Sequence, residues 1–116
     1  MEVELRGLES VFPEENINDG HGYWIEWRAL DLYDPVRRQK VSEWFYVAAC
    51  SPRYLTDNPK GLSQDDQEQL LVQDVFNEEA LVLFATKKFR ALSFSSWDDF
   101  YDKMSKTFMY EERDDT

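Results

Sequence analysis

Residues 44–49 form an aromatic and β-branched apolar run whose side chains fall alternately on two sides, and the pattern stops at Ser51-Pro52. Phe45, Val47 and Ala49 fall on one side of this run, and Trp44, Tyr46 and Ala48 on the other. That is the pattern of a strand with one face on a core and the other partly covered. Ser51 is a favoured N-cap type, and Pro52 suits the first helical position, where a missing N–H costs nothing. The spacing therefore predicts a central strand that turns straight into a short helix. That helix ends by Asn58, because Pro59 disfavours helical backbone at the residue before it.

The other elements are read around this run. Residues 2–6 alternate, with Val3 and Leu5 inward, as a first strand. A loop over residues 9–22 holds Pro13, Asn16, Asn18, Gly20 and Gly22 together with Glu14, Glu15 and Asp19. Residues 23–30 form a second strand, with Ile25, Trp27 and Ala29 on one face. Glu26 and Arg28 lie on the other face, which is expected to be the wetter. Asp34-Pro35 opens a turn, and the short connection predicts an antiparallel pair with the central strand. Residues 59–67 read as an exposed acidic loop. Leu70, Leu71, Val72 and Val75 fit a strand or a helical turn, and a strand is preferred because Asn77 looks like a new N-cap.

Beyond Asn77 the period changes to 3.6. Glu78 and Glu79 open a helix and Lys87, Lys88 and Arg90 close it, as the helix dipole favours. Leu81, Phe84, Ala85, Lys88 and Leu92 follow the helical spacing. A second helix starts at Ser96, with Asp99 three residues on as a short capping-box partner. Trp97, Phe100, Tyr101, Met104 and Phe108 make one stripe, read as core packing. Residues 109–113 add a last edge strand. The predicted fold is α+β: a mainly antiparallel sheet of four to five strands, with two C-terminal helices and one short helix packed on it.

At 116 residues the chain is read as one domain, 1–116. A chain of this length buries roughly two-thirds of its unfolded surface, enough for a core without staples. The single cysteine excludes an intrachain disulfide. Neither a signal peptide nor an apolar span appears, so a cytoplasmic protein is expected. Charge changes the picture most. The 24 acidic residues against 13 basic give a net charge of −11. Such a surface repels phosphate backbones and anionic lipid, so neither nucleic acid nor a membrane is expected as a partner. A basic protein would be drawn to it.

Catalytic chemistry has little to build on. Cys50 precedes a helix start, where a dipole can lower a thiol pKa, and His21 is the one histidine available for a Cys–His dyad. Free cysteine is more often a buried hydrophobe, and that reading is preferred. Asp98, Asp99 and Asp102 lie within about one helical turn and offer oxygen ligands for a hard cation. Helix-start electrostatics is the simpler account, so neither a metal nor another cofactor is expected. Trp24, Trp44 and Tyr46 would form an exposed aromatic patch on an uncovered sheet face; burial under the loops is expected instead.

The run Phe45-Tyr46-Val47-Ala48-Ala49-Cys50-Ser51-Pro52-Arg53-Tyr54-Leu55 resembles the Immunity protein 8 family. Members of that family are found beside polymorphic and contact-dependent-inhibition toxins of bacteria. The helix after Asn77, the block Ser96-Trp97-Asp98-Asp99-Phe100 and the closing Tyr110-Glu111-Glu112 extend the resemblance over the C-terminal two-thirds. Tyr54 stands where the family pattern has Trp, and Tyr110-Glu111 replaces a Trp-Glu ending; both keep an aromatic ring. The resemblance implies an α+β protein that binds and neutralises a cognate toxin, such as a basic nuclease domain, by covering its active or substrate-binding site without catalysis. The alternative is an acidic adaptor module with no toxin partner. The matched motifs carry over no contact residue, so charge selects the candidates. Asp65, Asp66 and Glu68 come first, with Glu14, Glu15 and Asp19 as neighbours, and the helix face of Asp98, Asp99 and Asp102 second.

Overall fold

The computed structural model describes residues 1–10, 16–57 and 69–111. Its elements are β1 (Glu4–Glu9), β2 (Ile17–Asn18), β3 (Trp24–Asp34), β4 (Gln39–Lys40), β5 (Trp44–Cys50), α1 (Pro52–Asp57), β6 (Leu70–Val72), α2 (Glu78–Arg90), α3 (Trp97–Thr107) and β7 (Met109–Glu111). The fold is α+β. Four strands carry the sheet in the order β1-β3-β5-β6, and β2, β4 and β7 bring it to seven among the described residues. Every pairing is antiparallel except β5 with β6. β5 is the central strand, its backbone shared among β3, β6 and β7.

Register assigns the two faces. Ile25 is opposite Cys50, Trp27 opposite Ala48 and Ala29 opposite Tyr46, so these six share one side. Phe45, Val47 and Ala49 occupy the other side. There they meet Leu30 and Leu32 of β3, Leu81 and Ala85 of α2, and Phe100, Met104 and Phe108 of α3. The first side is covered at one end by α1, whose Tyr54 packs with Ile25, Ala48, Cys50 and Leu70.

The expected wet face of the second strand is a correction. Glu26 is opposite Ala49 and Arg28 opposite Val47, so both point to the side that the long helices cover. Their side chains are only 27% and 13% exposed, and they bond each other at 3.0 Å. The Arg28 guanidinium also lies 5.3 Å from the centre of the Phe76 ring. A charge pair sits on that side because each partner satisfies the other and the ring shields the cation.

Local signals start the helices where the sequence places them. The Asn77 side chain accepts the Ala80 N–H at 3.1 Å, and Ser96 Oγ accepts that of Asp99 at 3.1 Å. Each satisfies one orphan donor of a first turn. Asp99 completes a shifted box, accepting the N–H of Ser95 rather than that of Ser96, at 2.9 Å. Of the aromatic stripe, Phe100, Met104 and Phe108 are fully buried, whereas Trp97 and Tyr101 are only half-buried. Phe100 meets Phe45 edge-on at 5.8 Å and Phe94 at 4.9 Å. Among the described residues no helix is long and apolar enough to cross a membrane.

Candidate functional site

Glu14, Glu15, Asp65, Asp66 and Glu68 lie outside the described residues. Asp19 is exposed, but its carboxylate organises the turn before β3. Its Oδ1 accepts the N–H groups of His21 at 2.7 Å and Tyr23 at 3.2 Å. The His21 bond above all holds the carboxyl below its ordinary range. Gly20 and Gly22, at φ +74° and +90°, supply the backbone that this turn requires.

The acidic start of α3 is largely neutralised. Asp99 Oδ2 lies 3.0 Å from Lys103 Nζ, and Asp102 Oδ2 lies 3.1 Å from Lys106 Nζ, both one turn ahead. The Ser95 N–H, then Lys103, keeps the Asp99 carboxyl below its usual range. Asp98 is exposed and has no ion-pair partner among the described residues. No described group of three or more His, Cys, Asp and Glu side chains is placed to hold a metal ion.

Cys50 is buried completely, and burial pushes its thiol up to about 11. Desolvation outweighs any help from the following helix start, so the group is a thiol and not a thiolate near neutral pH. His21 is exposed, and its backbone carbonyl accepts a bond from Arg53 at 2.8 Å. The chemistry of this end belongs to Ser51. Its buried Oγ accepts the N–H of Trp24 at 3.0 Å and that of Tyr54 at 3.2 Å. One hydroxyl thus caps α1 and fastens it to the start of β3. Of the three flagged aromatics, Trp24 and Tyr46 are buried and Trp44 is half-buried, stacked 6.4 Å from Tyr46.

The other end of β5 opens into a cleft of about 280 Å³ between the β3–β4 turn and the start of α3. Asp34, buried at the end of β3, sets the turn by accepting the N–H groups of Val36 at 3.0 Å and Arg37 at 3.2 Å. Arg38 follows in the left-handed region at φ +56°, a conformation that an arginine adopts at some cost. Glu43 stands just before β5. Its Oε2 accepts the Tyr101 hydroxyl at 2.7 Å and the Ser42 hydroxyl at 3.0 Å. Burial, and then the Glu43 carboxylate, pushes the Tyr101 phenol well above its ordinary range, so it remains a donor. The Arg37 guanidinium lies 5.6 Å from the centre of the Trp97 ring, with its Nε 3.8 Å from Asp34.

A second cavity, about 250 Å³, lies beside the same connecting segment and is lined in part by Asp31, Lys40 and Trp44. There Lys40 Nζ bridges Glu9 at 2.7 Å and Asp31 at 3.5 Å. The sequence reading assigned Trp97 and Tyr101 to the core and did not single out Glu43 or Arg37. One signal was present: a tyrosine in an apolar stripe needs a partner for its hydroxyl. Comparison with family models, with curated proteins and with solved structures found no match to this chain.

Proposed function

We propose that this protein neutralises a basic bacterial toxin domain by covering the surface which that domain uses for its substrate. The observation that carries the reading is the excess of 24 acidic over 13 basic residues. A protein of this charge is attracted to surfaces built for phosphate, and its carboxylates compete there with the substrate. The resemblance of the Cys50-Ser51-Pro52 run and its flanking blocks to Immunity protein 8 supports the same reading. The partner is a protein, and the protein acts by occupying a site.

The test is growth rescue. Cells producing the toxin domain encoded by the neighbouring reading frame should grow when this protein is co-produced. The purified pair should form a stable complex whose association slows as salt is raised. A neighbouring frame without a toxic basic domain, or a toxin that this protein neither binds nor silences, would leave the adaptor role in its place.

A further inference from the structure

We propose that the cleft between the β3–β4 turn and α3 receives one guanidinium side chain of the basic partner, with Glu43 as its counter-charge and Trp97 as its flat wall. Arg37 is the chain's own stand-in for that side chain and swings aside on binding. The proposal rests on the reading above for its partner, but the cleft itself is argued from geometry.

The first argument is size. At about 280 Å³ the cleft falls just below the range of about 300–1,000 Å³ usual for small-molecule sites, and suits a single side chain. The second is the carboxylate. Two hydroxyl donors fix Glu43 through Oε2, and Oε1 has no hydrogen-bond partner among the described residues. A carboxylate oriented in advance in this way recognises a planar cation without paying to order itself. The third is the occupant already present. Arg37 lies over the Trp97 ring, which shows that the site draws a guanidinium. Its hold is loose, since the side chain is 62% exposed and its approach to Asp34, 3.8 Å, exceeds hydrogen-bond length.

An anion is the poorer occupant. Lys40 lines the cleft, but its ammonium is engaged by Glu9 and Asp31. Asp34 and Glu43 would both repel an incoming negative group. An arginine of the partner, flat enough to stack and forked enough to bond, fits the walls as they stand.

The probe is N-acetyl-arginine amide, titrated into the isotopically labelled full chain and followed by NMR. Saturable shifts are expected at the Trp97 indole and at Ser42 and Glu43, and N-acetyl-citrulline amide, isosteric but neutral, should produce none. Glu43→Gln, which keeps an oxygen for Tyr101, should weaken binding roughly fivefold or more. Arg37→Ser should tighten it about threefold by removing the competitor. Arg38→Ser makes the same change in net charge one residue away and should leave affinity within about twofold, since long-range attraction between exposed groups is screened.

Absence of shifts at Trp97, or equal responses to Arg37→Ser and Arg38→Ser, would overturn the proposal. The two readings also separate. A cleft that binds the probe in a protein that silences no toxin leaves the cleft standing and removes the toxin. A protein that rescues growth while ignoring the probe removes the cleft alone.

Discussion

The two ends of β5 are finished in opposite ways. At the C-terminal end Cys50 and Ser51 are buried, and one hydroxyl satisfies two backbone donors from different elements. At the N-terminal end Ser42 and Glu43 border a cleft, and two hydroxyls converge on one carboxylate oxygen. The first arrangement spends its polar atoms on the fold. The second leaves charge facing a space that the fold does not fill. On the proposal above, stability and recognition are divided along a single strand, and substitutions at its ends should separate them.

Ser51→Ala should have the largest effect. It strands the N–H groups of Trp24 and Tyr54 in a buried site, and a loss of about 2–4 kcal/mol is expected in urea unfolding. A loss near zero would mean that water enters this end, and the contrast between the two ends would collapse. Tyr101→Phe should cost less, about 1 kcal/mol, because the Glu43 carboxylate it abandons keeps Ser42 and access to water. If it proved as costly as Ser51→Ala, the open end would be structural after all.

The smallest effect is one of pH. Asp99 has a carboxyl held low in the folded state by Ser95 and Lys103, so the unfolded chain takes up a proton first as pH falls. Its contribution is present above the ordinary value of 3.8 and is lost as pH drops through the lower folded value. Asp99→Asn should therefore lower stability slightly at neutral pH and progressively less below about pH 4, which flattens the acid limb of the stability curve. An effect as large in acid as at pH 7 would contradict that account.

What could be read in advance follows the range of the interactions. Ser51-Pro52, Asn77 and Ser96 act on their own first turns, so a few residues sufficed to place α1, α2 and α3. The alternation in β3 was equally local, but alternation says only that two faces differ. Which face the helices cover depends on Leu81 and Phe100, far along the chain. The side of Glu26 and Arg28, correctly separated from that of Ile25, Trp27 and Ala29, was therefore expected to be wet although the helices cover it. The cleft was illegible for the same reason, since the Tyr101 hydroxyl reaches Glu43 across 58 residues. Charge pointed to Asp99 and Asp102 on α3, but could not show that Lys103 and Lys106 answer them.

The sheet's outer strands have a consequence for how anything can attach to this protein. β6 and β7 divide one side of β5 between them, three residues each and running in opposite directions. On the far side β1 is offset by an irregularity between Leu5 and Gly7, and β2 contributes only two residues. Among the described residues, neither border offers a long, unbroken row of main-chain groups. On these described borders an incoming chain finds little template on which to zip itself. Main-chain addition recognises almost any sequence, whereas contact through side chains demands a particular one. The described borders therefore favour attachment through side chains over main-chain addition.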